Sequence, residues 1–169
     1  DSEPVKSVLH SRTFRRPVRE YTELKHIICG FAARAGEKLR QKQRTANLLT
    51  VFIQTSRFKE QRYANSHTVA LPRATAFSPD LLAAAEAGLR RIFLPGHDYK
   101  RAGVLTTERE VEAGLQPDLF AEMGATQLEK RARAMGALDA INKKFGRGTT
   151  RFLAEGARPW QMRRERKSP

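Results

Sequence analysis

The residues able to do chemistry in this chain are few, and their spacing limits what they can do. Four histidines, His10, His26, His67 and His97, stand far apart, and Cys29 is the single cysteine. Metal ligands usually come in close or paired spacings, so these residues predict no metal site. A lone cysteine forms no intramolecular disulfide, which points to a reducing cytosol. Cys29 falls on the apolar side of a helical stretch and reads as a core residue. Glu108, Glu110 and Glu112 alternate and could coordinate a cation, but a solvated acidic linker explains them better. Metal-dependent phosphoryl transfer needs clustered carboxylates, and the other acidic residues are scattered. "FGRGTT" (145–150) has two glycines but lacks the lysine–serine pair of a phosphate-binding loop. The expectation is a chain with no catalytic site, no metal and no cofactor of its own.

Binding is the better-supported chemistry. Thirty-two Lys and Arg against 18 Asp and Glu give a net charge of +14. Such an excess attracts polyanions through counterion release, and nucleic acid is the expected partner. No apolar run has membrane-spanning length, and no helix combines a broad apolar face with a polybasic one. The charge is uneven. Residues 108–121 hold Glu108, Glu110, Glu112 and Asp118 against Arg109 alone, between two basic regions. That pattern reads as basic domain, acidic tether, basic tail.

Regular elements must position these charges. After a lead-in (1–8), "LHSRTF" (9–14) alternates like a short strand. "ELKHIICGFAARAGEKLRQKQ" follows Thr22 as a helix, with Leu24, Ile27, Ile28, Phe31, Ala35 and Leu39 on one face. "ANLLTVFIQTS" (46–56) reads as a buried strand and "HTVALP" (67–72) as its partner. Ser78 caps a second helix, with Pro79 in its first turn, that runs to Pro95-Gly96. "YKRAGVLTT" (99–107) is a last alternating strand. The order β-α-β-β-α-β predicts an α+β fold, a split βαβ arrangement with a four-stranded sheet and both helices on one face.

That arrangement leaves the other face open. Ser11, Arg12, Arg15, Thr55, Arg57, Lys59, Lys100 and Arg101 are candidates to line it along a nucleic-acid backbone, each being equally a solvated strand residue. Beyond the tether, "QLEKRARAMGALDAINKKF" predicts a helix with Leu128, Ala132, Met135, Leu138 and Ile141 in one stripe. "FGRGTTRFLAEG" reads as a turn and a strand, and "WQMRRERKSP" as a basic end. Within the tether, Gln116-Pro117-Asp118-Leu119-Phe120 joins an acidic stretch to two large apolar side chains. It is either a docking peptide or a helix start whose Leu119 and Phe120 pack on the core.

"SRTF", "AARAGEKLR", "LTVFIQTSRF", "HTVALP" and "YKRAGVLTT", in this order, resemble the little finger of Y-family translesion DNA polymerases of the UmuC type. "LQPDLF" stands where that family carries its sliding-clamp-binding motif. "ALDAINKKFGRGTTRFLAEG" followed by "WQMRRERKSP" resembles the C-terminal extension of UmuC-like proteins. The resemblance implies a little finger over 9–107, an acidic linker with a clamp-binding motif over 108–121 and an extension over 122–169. It implies sequence-independent contacts to template–primer DNA through Arg12, Arg15, Arg57 and Arg101, with Ser11, Thr13 and Thr55 as short donors.

The resemblance also implies β sliding clamp contacts through Gln116, Pro117, Asp118, Leu119 and Phe120. Contacts with processed UmuD subunits and a RecA filament would fall to Met135, Leu138, Ile141 and Trp160. The chain would be a piece of a larger cytoplasmic, bacterial SOS-repair enzyme whose palm domain, lying outside it, holds the Mg²⁺. A competing expectation is a freestanding RNA-binding or ribosome-associated protein with a ferredoxin-like domain. Such sheets present aromatic residues on central strands, whereas Phe52 sits in a run that reads as buried.

Overall fold

The computed structural model describes residues 5–110 and 125–157. The elements are β1 (Lys6–Val18), α1 (Tyr21–Gln41), β2 (Arg44–Thr55), β3 (Ala64–Thr75), α2 (Ser78–Ile92) and β4 (Tyr99–Glu110), then α3 (Ala125–Phe145) and a 3₁₀ turn (Leu153–Glu155). The four strands form one antiparallel sheet in the order β1-β4-β2-β3. The α+β class and the β-α-β-β-α-β order are those read from the sequence.

Period-two alternation divides the sheet into two chemistries. Leu49, Val51 and Ile53 of β2 are buried and pair with Thr106, Val104 and Ala102 of β4, so this face carries the core. Against it α1 sets Leu24, Ile28 and Leu39, and α2 sets Leu81, Ala85 and Leu89. Each large apolar side chain removed from water contributes about 2 kcal/mol. Cys29 lies fully buried in this cluster. Arg40, near the end of α1, joins the helices. Its guanidinium donates to Ser78 Oγ and the Ala76 carbonyl, both at 2.8 Å, and makes a two-pronged pair with Asp139 of α3 at 2.7 and 2.8 Å.

Several expectations need correction. β1 starts at Lys6, so Lys6, Ser7 and Val8 belong to the sheet; residues 1–4 of the expected lead-in lie outside the described residues. Ser78 is a helical residue, not a cap. Phe77 holds the cap position without a side-chain bond, because the buried Ser78 hydroxyl accepts from Arg40 instead. The local hydrogen bond comes from Thr75, whose Oγ1 accepts from the Phe77 N–H at 3.0 Å.

The acidic stretch is also not all tether. β4 runs on to Glu110, and Glu108, 5% exposed, lies with one carboxylate oxygen 3.0 Å from Arg44 Nε. Paired with Lys6 and Ala46 in the sheet, it is carried to the helix side by the same alternation that buries Thr106. Glu112 lies outside the described residues.

In the extension the helix forms but the strand does not. Residues 146–152 turn back, and Leu153–Glu155 make a 3₁₀ turn closed by the Phe152 N–H donating to Glu155 Oε2. No strand partner stands beside this segment among the described residues, since each described strand pairs within the one sheet. On α3, Leu128, Met135 and Leu138 face inward, while Ala132 and Ile141 are exposed. The inward positions are completed by Asp139, paired with Arg40, and by Arg131, whose guanidinium lies 4.5 Å over the Phe77 ring.

Candidate nucleic-acid interface

The face of the sheet turned away from α1 and α2 follows from the register. Across its width run Ser11–Gly103–Phe52–Ser66 and, two residues further along, Leu9–Leu105–Thr50–Thr68. Ser7, Thr13 and Thr107 share this face, and the Thr50 and Thr68 hydroxyls lie 2.7 Å apart. The surface is rich in hydroxyls and poor in formal charge. Arg101 supplies its central charge. It pairs with Thr13 and Gln54 in the register, its Nη2 donates to Ser11 Oγ at 3.3 Å, and its guanidinium carbon stands 5.5 Å from the centre of the Phe52 ring.

Phe52 is therefore an open-face residue, which overturns the buried reading. It lies between Val51 and Ile53, which point the other way, so an unbroken apolar run hid its direction. Gly103 makes room for it: a Cβ there would stand 2.6 Å from Ser11 Cβ and closer still to the Phe52 ring. Thr50, Phe52, Ser66 and Thr68 were all missed by sequence reasoning; the parity set by buried Val51 would have found the two on β2.

Ser11, Thr13 and Arg101 are brought together as expected, but Arg12 is not with them. It shares parity with buried Phe14 and pairs with Ala102, so it emerges on the helix side near Arg34. Consecutive strand residues cannot share a face. Thr55 is also misplaced. It is 7% exposed and its Oγ1 is committed to the Tyr63 backbone, accepting from the N–H at 2.9 Å and donating to the carbonyl.

Lys59 is bonded to Asp98, which also takes Arg19 at 3.1 Å; this hydrogen bond from Lys59 holds the Asp98 carboxyl below its ordinary value. Lys100 Nζ donates to the Arg15 carbonyl, tying β4 to the irregular end of β1. Arg57 is exposed in the β2–β3 connection beside Phe58, 94% exposed, an aromatic tip that sequence reading passed over.

On the helix side, a cleft of about 960 Å³ opens between α1, the end of β1 and the returning tail. Arg12, Arg15, Arg34, Arg147 and Arg151 line it, over Phe31 and Phe152. Leu138 reaches this cleft, while Met135 is 7% exposed. Gln116, Pro117, Asp118, Leu119, Phe120 and Trp160 lie outside the described residues. Among the described residues, no three His, Cys, Asp or Glu side chains are grouped so as to hold a metal, and no helix is long and apolar enough to cross a membrane.

Residues 5–119 match the family described as the impB/mucB/samB family C-terminal domain, well over half of the chain. The chain belongs to the impB/mucB/samB family. Residues 132–169 match a second family, described only as a domain of unknown function, DUF4113. Within the impB/mucB/samB family the chain is 34% identical over 165 residues to Protein UmuC of Salmonella typhimurium, covering 96% of this chain and 39% of that protein. It is 34% identical to Protein SamB of Salmonella typhimurium over 98% of this chain and 39% of the relative. Protein MucB of Escherichia coli is 34% identical over 96% of this chain and 38% of the relative. The chain thus spans well under half the length of these impB/mucB/samB relatives. A solved complex of beta-clamp processivity factor and the little finger domain of PolIV aligns with 67% of this chain and 99% of its own matched chain, at 19% identity and a TM-score of 0.42.

Proposed function

We propose that this chain is the non-catalytic, DNA-gripping C-terminal region of an error-prone translesion DNA polymerase of SOS repair. The observation that carries this reading is the open face of the sheet. It is broad and lined by the hydroxyls of Ser7, Ser11, Thr13, Thr50, Ser66, Thr68 and Thr107, with Arg101 clipped between Ser11 and Phe52. Short hydroxyl donors and one guanidinium suit phosphate oxygens, which position a duplex without reading its bases. The net +14 adds long-range attraction independent of sequence. Arg57, exposed in the β2–β3 connection, joins the contact in the same reading. Family membership supports the polymerase context, with metal-binding carboxylates in a palm domain outside this chain, acting in the bacterial cytoplasm and on the nucleoid.

In the same reading, Gln116 to Phe120 moor the polymerase to the β sliding clamp. Leu119 and Phe120 fill an apolar pocket, Gln116 hydrogen-bonds backbone, and Pro117 restrains Gln116 to extended geometry. Contacts with processed UmuD subunits or a RecA filament fall to exposed Ile141 and to Trp160. Met135 is left a packing role by its burial.

The test is a salt titration with two short duplexes of unrelated sequence. Arg101→Ala lowers affinity for both alike and reduces the salt slope by about 0.9, the value for one phosphate contact. An unchanged slope removes the open face from the interface. Leu119→Ala with Phe120→Ala abolishes clamp pulldown at unchanged melting temperature; a large fall in melting temperature would make the pair core residues. The open-face position of Phe52 favours a second reading, an RNA-binding sheet. Tighter binding of single-stranded RNA than of duplex DNA, lost in Phe52→Ala, would decide for it.

A further inference from the structure

We propose that the arginine-lined cleft on the helix side of the sheet is a second nucleic-acid site, which takes a single unpaired strand. Its walls come from three parts of the chain: Arg12 and Arg15 from β1, Arg34 from α1, and Arg147 and Arg151 from the returning tail. The fold holds these cations close enough to repel one another. Burial, then the guanidiniums of Arg147 and Arg12, push Arg34 down from its ordinary value.

The acids of the cleft, Glu37, Asp139 and Glu155, are outnumbered by its six arginines, Arg12, Arg15, Arg34, Arg40, Arg147 and Arg151. Asp139 is taken up by Arg40 in its two-pronged pair, and Glu155 accepts from the Phe152 N–H. Burial pushes Glu155 up, against the pull of the Phe152 N–H and the Arg151 guanidinium. Glu37 accepts from Gln41 at 3.4 Å and offsets part of the charge around Arg34. A ligand carrying several negative charges along its length would complete the site.

Three features select a nucleic-acid strand among such ligands. Guanidinium forks match phosphate oxygens. Phe31 and Phe152 are half-buried in the cleft and offer rings for stacking of unpaired bases. The volume exceeds that needed by one phosphate group, and a strand can pass in and out along an open groove. The edge strand β1 also borders both sites, since Ser11 and Thr13 turn to the open face while Arg12 turns to the cleft. A strand parting from a duplex on the open face therefore reaches the cleft by rounding one β-strand.

This inference rests on the nucleic-acid reading of the open face, and the test separates the two. The 169-residue chain is titrated by fluorescence anisotropy with a labelled oligothymidylate of about ten nucleotides and, separately, with a short blunt duplex. Arg147→Glu with Arg151→Glu, both on the tail, are expected to weaken oligothymidylate binding at least tenfold and to lower its salt slope by about 1.4. Duplex affinity falls by much less than that of the oligothymidylate, through lost long-range attraction alone, the converse of Arg101→Ala. Arg34→Lys, which keeps charge but loses the fork, gives a smaller loss on the same probe. Unchanged oligothymidylate affinity in the double variant overturns the cleft proposal whatever Arg101→Ala does. So does displacement of the oligothymidylate by polyglutamate at lower charge concentration, which would make the cleft an acidic-peptide site. If Arg101→Ala leaves duplex binding untouched while the cleft variants behave as expected, the open-face reading fails alone.

Discussion

Phe52 lies against the bare backbone of Gly103 on the neighbouring strand, and the absence of a side chain at 103 is what leaves room for an aromatic ring on the open face. Any Cβ there meets the ring and Ser11 Cβ well inside contact distance. The arrangement also fixes Arg101, which leans over the same ring and reaches Ser11.

Gly103→Ala is therefore expected to destabilise the fold by about 1–3 kcal/mol through overpacking. Urea unfolding measures it. Adding Phe52→Ala should restore part of the loss, because the two sites are coupled by direct contact. Independent, additive effects would mean that the ring is not held there.

Glu108→Ala should cost about 1–3 kcal/mol, since it removes a buried carboxylate that faces the largely buried Arg44. Its exposed neighbour Arg109→Ala should change stability by less than about 0.5 kcal/mol. Equal small effects for both would return Glu108 to a solvated linker.

Cys29 is enclosed by α1 and the core, and burial pushes its thiol up to about 11. The reactive species is the thiolate. Maleimide at neutral pH should leave the native protein unlabelled over a time in which the urea-unfolded chain reacts fully. Matching rates would place Cys29 at the surface.

His10 faces Lys38, Arg34 and Lys42, and its Nε2 is buried without a hydrogen-bond partner. Burial first, and those cations second, lower its value below the ordinary 6.5. The unfolded chain then binds the proton more readily than the fold. Stability is full above the unfolded value and falls as pH drops from 6.5 toward the lowered folded value. Wild-type protein should lose urea midpoint between pH 7.5 and 5.5, and His10→Gln should lose less. A steeper loss in the variant would reverse the assignment.

Much of the fold was legible in the residues. Leu24, Ile27, Ile28 and Leu39 recur at helical spacing, and all are buried on α1. The β-branched run after Ala46 became β2. Element ends were less legible, because pairing extends strands past their local signal. Lys6 and Glu108 have little strand character, yet each finds its partner in the register between β1 and β4. At the tail, "RFLAEG" looked like a strand, but Phe152 and Ala154 pack against the core, and turning back to reach it leaves no extended edge to pair.

By itself, the sequence determined the order of elements, the cationic excess and the core-forming stripes, because these depend on local periodicity and composition. The tertiary structure alone decided which face each charge occupies. Ser11 and Arg12 are chain neighbours, yet a period of two sends one to the open face and the other toward a cleft built with the tail. Which of the two directions is outward depends on where α1 and α2 come to rest, a long-range packing choice driven by apolar burial that no short window of residues contains.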